Sequence, residues 1–239
     1  MRKLTYAVLT LMLSAMALYL CSCASGGGVS VDLRRDPLKP SPELKEGTVE
    51  PSTNAITIIK DDITMTLEHW SRARLDRKFT TSTRRSPFFY LETWPQSMQS
   101  EVFYITITNN TPRSIILDFK ETTLNDERQY QYMPTTYDEI RYKFVSKSYM
   151  DLKTKQGLEA AREILLSERI GKDGVIATGK TVEGFLPFFT PSSQAEKVWV
   201  IATIEKEPEV ATLAYEKVEI RFDYVQDLGL RATQPPTKR

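Results

Sequence analysis

Thiols are missing from almost all of this chain. Its 239 residues include two cysteines, Cys21 and Cys23, both near the N-terminus. From Ala24 onward there is none, which excludes internal disulfides, thiol catalysis and cysteine-ligated metals in that part. Histidine is almost as scarce, since His69 is the only one. Ser-His-Asp chemistry would depend on that single imidazole, and a typical zinc site would want for ligands. His69 closes the alternating stretch before Trp70 and reads as an ordinary strand-end histidine. Charge of one sign is also lacking: the net charge is +1, and −1 without Arg2 and Lys3. No basic excess points to nucleic acid, and no acidic excess points to a calcium array. What is present is ordinary globular composition, 41% hydrophobic and 26% charged, enough for one sizeable core.

The N-terminus has a tripartite pattern. Arg2 and Lys3 are followed by an uncharged, largely apolar run from Leu4 to Leu20, then Cys21, Ser22, Cys23 and Ala24. A positive start, an apolar core and small residues at its exit describe an export signal. The run is slightly short of the roughly 20 apolar residues of a spanning helix. Leu20-Cys21-Ser22-Cys23 resembles the lipobox of bacterial lipoproteins, with Leu three places before the modified cysteine and a small residue just before it. Cys21 fits that pattern less well, because Tyr19 and Leu20 would stand at the small positions. The resemblance implies a signal peptide over residues 1–22 and lipidation of Cys23. It also implies a location in the cell envelope, at the outer membrane facing the periplasm in a Gram-negative cell. An ordinary secretory signal with two incidental cysteines is the plain alternative.

Residues 23–53 read as a disordered tether. Gly26-Gly27-Gly28 precede Pro37, Pro40, Pro42 and Pro51 among charged residues, a composition that buries little apolar surface. The body is expected over 54–226, and 227–239 reads as a flexible tail. Ile56–Lys60 and Ile63–Leu67 around Asp61-Asp62 suggest a hairpin, the second half alternating apolar and polar strictly. Arg72–Arg85 reads as a polar loop and Phe88–Leu91 as a short strand or anchored loop. Glu101–Thr108, a turn at Asn109-Asn110-Thr111-Pro112, Ser114–Lys120 and Gln129–Tyr132 continue the β-pattern. Thr181–Phe189, Lys197–Glu205 and Tyr215–Tyr224 resume it.

Between them the period changes. Thr136 and Glu139 have capping-box spacing. Leu158–Ile170 carries a Leu158, Ala161, Leu165 stripe that ends at Gly171. With no alternation of strand and helix, the expectation is a mainly β protein. It would be an antiparallel Ig-like β-sandwich of about eight strands with a helical insertion at about 136–170. FYITITNNTPRSIIL and the later GKTVEGFLPF resemble an Ig-like domain recurrent in bacterial lipoproteins of unknown function. That resemblance implies a fold and carries no site.

Several patterns bear on chemistry. Gly174–Thr181 matches the P-loop expression letter for letter, but a P-loop follows a strand and opens a helix. Here a helix precedes, and Gly184 and Pro187 stand where a helix should run, so no nucleotide is expected. Asn109-Asn110-Thr111 spells an N-glycosylation sequon at a turn. Acidic neighbours such as Asp61-Asp62, Asp126-Glu127 and Asp138-Glu139 match what a solvated surface shows. Arg72, Arg74, Arg77, Lys78, Arg84 and Arg85 stand against one acid, Asp76, as candidate contacts for lipid headgroups or an acidic partner. Tyrosines from Tyr130 to Tyr149 suit protein recognition or half-buried strands alike.

The sequence thus points to a non-catalytic, lipid-anchored envelope protein, an interaction or structural module. Its expected partners are a membrane, through the lipid, and an envelope protein bound by the insertion. No cofactor, metal or nucleic acid is expected. A binding protein for a small envelope glycan or lipid is the alternative, and a carboxylate-dependent hydrolase a third reading.

Overall fold

The computed structural model describes residues 37–88, 100–145, 152–171, 173–189, 195–208 and 214–226. In chain order its strands are β1 (Lys39–Pro40), β2 (Thr48–Glu50), β3 (Ala55–Lys60), β4 (Ile63–Trp70), β5 (Ser100–Asn109) and β6 (Ile115–Leu117). There follow β7 (Thr123–Asp126), β8 (Gln131–Tyr132), β9 (Val175–Ile176), β10 (Thr181–Phe189), β11 (Lys197–Lys206) and β12 (Glu216–Val225). The helices are α1 (Arg72–Phe79), α2 (Tyr137–Val145), α3 (Leu152–Ile164) and the single turn α4 (Leu166–Arg169). One sheet runs β10-β5-β4-β3-β2. The other runs β1-β12-β11-β6-β9, with β7 and β8 continuing from β11. All named strand pairings are antiparallel.

Alternation sets the first layer of packing. In β4, Ile63, Met65 and Leu67 turn inward while Thr64 and Thr66 turn out, because successive strand side chains point to opposite faces. Asp61 and Asp62, at φ 51° and 60°, make the two-residue β3–β4 turn; positive φ at both centres matches the twist of the flanking strands. Ile56, Ile58, Leu67, Phe103, Ile105 and Ile107 face Val200, Ile204, Val218, Ile220, Phe222 and Tyr224 across the sandwich. The Tyr224 hydroxyl crosses that core to donate to the Leu67 carbonyl at 3.0 Å.

A second core lies on the outer face of the five-stranded sheet. Leu75, Phe79, Phe88, Tyr137, Ile140, Leu158, Ala161 and Leu165 pack there with Val102 and Phe185, and Trp70 and Tyr104 border them. The helices therefore form a third layer. Thr136 and Glu139 make the reciprocal cap read from the sequence: Glu139 N–H donates to Thr136 Oγ1 at 3.3 Å and Thr136 N–H to Glu139 Oε2 at 2.8 Å.

Four expectations need correction. The body begins before Asn54: Leu38 is in the core, β1 pairs with β12 and β2 with β3, so part of the stretch read as tether is sheet. Short edge strands escape a composition reading because Pro and charge suit them. Among the described residues there are twelve strands, against the about eight expected, six of them pieces of two to four residues. Arg72–Arg85 is not wholly a loop: Ser71 caps α1, whose Leu75 and Phe79 are buried. Basic residues are good helix formers, and one apolar residue per turn suffices on a docked helix. The helix expected over Leu158–Ile170 instead starts at Leu152 and breaks at Leu165, which is extended (φ −70°, ψ 132°) and bridges Phe185. That one residue sends Leu165 into the helical-layer core and Leu166 into the sandwich core. The stretch expected at Phe88–Leu91 lies outside the described residues beyond Phe88, which is buried.

Candidate functional site

Of the six basic residues, Arg72, Arg77 and Lys78 are exposed and Arg74, Arg84 and Arg85 are half-buried. Arg74 turns back from α1 to the end of β4, where its guanidinium pairs with Glu68 and lies 3.8 Å from the centre of the Trp70 ring. Trp70 Nε1 donates to the same carboxylate at 2.9 Å. Glu68 is buried, so this pair joins α1 to the sheet. Arg72 approaches Asp76 one turn along at 3.8 Å. Arg77 Nε donates to the Ala73 carbonyl and Arg84 Nε to the Phe79 carbonyl, at 3.3 and 3.0 Å. Arg85 N–H donates to the Lys153 carbonyl at 3.2 Å, where Gly157 lets α3 approach; a Cβ there would lie 2.3 Å from the Arg85 carbonyl oxygen. Lys78 is exposed. Half of the set thus holds the helical layer in place.

Beside it, Tyr104 and Phe185 stand opposite each other on β5 and β10, their rings 4.9 Å apart. Burial, together with a hydrogen bond to Glu183, pushes the Tyr104 hydroxyl up to about 12. Glu183 lies 3.8 Å from Arg169, which also donates to the Glu183 carbonyl at 2.7 Å. Glu68 and Glu183 therefore flank an aromatic floor, each facing an arginine. Sequence reading missed this group because its members are scattered over a stretch of more than a hundred residues, from Glu68 to Glu183. Their one signal is that Glu68 and Trp70 share the outer parity of β4.

His69 points the other way, into the sandwich. Its Nε2 lies 2.7 Å from Glu101 Oε2, and its ring meets Phe103 edge-on at 5.3 Å. Nδ1 is buried without a partner among the described residues. Among those residues no three His, Cys, Asp or Glu side chains gather as a metal site requires.

The two stretches that carried the Ig-like resemblance meet at Asn109. Its Nδ2 donates to the Arg113 and Ile176 carbonyls at 2.8 and 3.0 Å, and its Oδ1 accepts from Thr111 N–H and Oγ1 at 2.9 and 2.7 Å. Its backbone accepts from Gly179 N–H and donates to the Lys180 carbonyl. The sequon asparagine is fully buried and both amide protons are engaged, which leaves no attachment point for a glycan. The same bonds account for Gly174–Thr181. Gly174 takes positive φ just before β9, and Gly179 takes positive φ in the turn from β9 into strand β10, not into a helix, so the array of helix N–H groups that cradles phosphate is not built.

Cys23 and the rest of the N-terminal pattern lie outside the described residues. Among the described residues no helix is long and apolar enough to cross a membrane. No protein-family model, no curated protein and no solved structure matches this chain.

Proposed function

We propose that this chain is a lipid-anchored envelope protein whose body is a non-catalytic interaction module. The observation that carries the reading is Leu20-Cys21-Ser22-Cys23 at the end of the uncharged Leu4–Leu20 run. Cys23 is the acceptor, because it alone has a small residue before it. A diacylglyceryl group there, with a further acyl chain, would hold the protein stably at a bilayer. Among the described residues Leu38 is the first that belongs to the sandwich core.

The body is best read as Ig-like. In an Ig constant-type sandwich the strands lie as A-B-E-D on one sheet and G-F-C on the other. With β4 as A, β5 as B, β10 as E, β11 as F and β12 as G, the neighbours β4-β5-β10 and β12-β11-β6 supply A-B-E and G-F-C. Strand D is replaced by the helical insertion, which lies between C and E in the chain and meets β10 at the Leu165–Phe185 bridge. The arginines that face Glu68 and Glu183 give these carboxylates a structural part, tying α1 and α4 to the sheet. The partner-facing side of the insertion is its outer surface, where Tyr142 and Leu152 are 72% and 70% exposed.

Mass spectrometry of the processed protein tests the anchor. Acyl chains on an N-terminal Cys23 are expected, and Cys23→Ser is expected to release the protein from membranes. An unacylated mature chain, or membrane retention of Cys23→Ser, overturns the reading. For the partner surface, Tyr142→Ser with Leu152→Ser is expected to abolish in-cell crosslinking to an envelope protein while leaving the melting curve unchanged. Deleting 136–170 would not serve, because it would uncover the aromatic core beneath.

A further inference from the structure

The β12 edge has a pattern that neither the anchor nor the helical layer explains. Along its whole length β12 pairs on one side with β11. On the other side β1 covers only Tyr224 and Val225. Beyond it Ser41 N–H reaches the Asp223 carbonyl at 2.9 Å, and Lys60 Nζ reaches the Glu219 carbonyl at 2.9 Å. Those two contacts fix the parity: Lys217, Glu219, Arg221 and Asp223 aim their backbone groups at the open edge. Among the described residues no backbone group meets that edge between Lys217 and Arg221. Exposed edges are templates for pairing with another chain, and proteins commonly block them with charge. Like charges directly opposite destabilise a strand pair, and opposite charges stabilise it.

The order of charges on this edge matters more than their presence. Lys217, Glu219, Arg221 and Asp223 alternate in sign on the solvent face, with Val218, Ile220 and Phe222 buried between them. Reversing the strand and centring it on Ile220 sets Lys217 against Asp223 and Glu219 against Arg221, on both sides of the axis. All four cross-strand contacts are then between opposite charges. Moving the centre to Glu219 sets Lys217 against Arg221 and Glu219 against itself. Moving it to Arg221 sets Glu219 against Asp223 and Arg221 against itself. Centres on Val218 or Phe222 also avoid like charges, but each opposes only one charged pair, Lys217 with Glu219 or Arg221 with Asp223, and the Phe222 centre runs into β1. The register on Ile220 alone engages all four charges, and in it Glu219 and Arg221 are an edge-facing pair that exchanges both backbone hydrogen bonds.

We infer that the β12 edge is a self-association surface, on which a second copy of this chain adds antiparallel about a twofold axis through Ile220. The two-strand contact is isologous, so each productive pair occurs twice. The Arg221 N–H of the second copy takes the Glu219 carbonyl from Lys60, whose half-buried side chain is flexible and moves aside. β1 and Ser41 bound the contact at Asp223, so the shared ladder is short and its charge order decides whether it holds. Arg221 stacks over Trp199 at 4.5 Å and bonds Asp223 at 2.8 Å, and Lys217 meets Glu121 at 2.6 Å. These contacts hold the cations of the edge in place before the second strand arrives.

The test is sedimentation equilibrium of the full chain in density-matched detergent, over a concentration series. The wild type is expected to show a monomer–dimer equilibrium. Arg221→Glu, which places Glu219 opposite a glutamate twice, is expected to weaken it about tenfold or more. The double variant Glu219→Arg with Arg221→Glu keeps opposite charges across the axis and is expected to restore dimerisation, which a variant that merely damaged the fold would not do. A wild type monomeric throughout, an undisturbed dimer in Arg221→Glu, or a charge-swapped chain that stays monomeric would each overturn the proposal.

Discussion

The five-stranded sheet separates two cores of different make. Between the sheets the residues are mostly aliphatic, with Ile, Val and Leu from both sides near zero exposure. Between that sheet and the helices they are largely aromatic: Phe79, Phe88, Tyr137 and Phe185, bordered by Trp70 and Tyr104. The rings meet edge-on, Phe79–Phe185 at 5.3 Å and 82°, Trp70–Phe185 at 5.0 Å and 86°. Strands locked by ladder bonds can mesh small branched side chains. Helices laid on a sheet leave wider and less regular gaps, and large rings fill these while gaining from edge-to-face geometry. The outer core also needs its rim: Arg74 is bound to Glu68, and Arg169 stands beside Glu183. The sandwich is therefore the frame, and the helical layer a covering that depends on it.

The strongest way to break that ordering is Phe103→Ala. Phe103 is fully buried and touches Phe188 on the adjacent strand and Tyr224 across the inner core. Truncating a buried phenylalanine costs about 3–5 kcal/mol. Because the helices rest on the sheet this unfolds, urea unfolding followed by far-UV signal from both strands and helices is expected to shift as one transition. Helical signal that outlasts the strand signal would show the helical layer standing alone.

A smaller effect is expected from Leu75→Ala in α1. Leu75 is 1% exposed and belongs to the outer core, and its truncation costs about 2–4 kcal/mol. Here the layers should part. Amide exchange in α2 and α3 is expected to accelerate while that of β5 from Phe103 to Ile107 stays slow, since regions of unequal stability open separately. Equal acceleration in both would erase the distinction between frame and covering.

The comparison also explains what could be read from the sequence. The inner core was legible because β3, β4 and β12 alternate with period two, as in Val218, Ile220, Phe222 and Tyr224 against Lys217, Glu219, Arg221 and Asp223. The outer core left a signal that alternation obscures. In Phe185-Leu186-Pro187-Phe188 every residue is buried, and an unbroken apolar run means a strand covered on both faces. The capping box at Thr136 was readable because it is local. The engagement of Arg74 by Glu68 was not, because it depends on the angle at which α1 leaves β4. The Leu165 break was hidden by a good helical stripe, since the extended residue is fixed by its bridge to Phe185 and not by its own preference. The Asn109 hub joins residues as distant as Ile176, so a turn reading gave its place but not its role.

The finest test compares one tyrosine from each core. Tyr224 is fully buried between the sheets, and loss of solvent raises its hydroxyl well above the usual 10.0, helped by the charge of Glu68. Tyr104, at the edge of the helical layer, is raised to about 12 by burial first and Glu183 second. A folded-state value above the unfolded one means that the native protein keeps a proton the unfolded chain gives up. The stabilising contribution is whole below pH 10 and fades as pH rises through the folded value. Stability is therefore expected to fall in alkali, with the Tyr104 share lost between about pH 10 and 12. Tyr104→Phe should flatten that part of the fall, modestly, because the hydroxyl is partly solvated. Tyr224→Phe should flatten it more, although it forfeits the bond to Leu67 at every pH. Ultraviolet titration separates the two: Tyr104 should ionise in the folded protein, and Tyr224 only as the sandwich unfolds. If Tyr224 titrated reversibly while the strand signal was intact, the inner core would be no drier than the layer outside it.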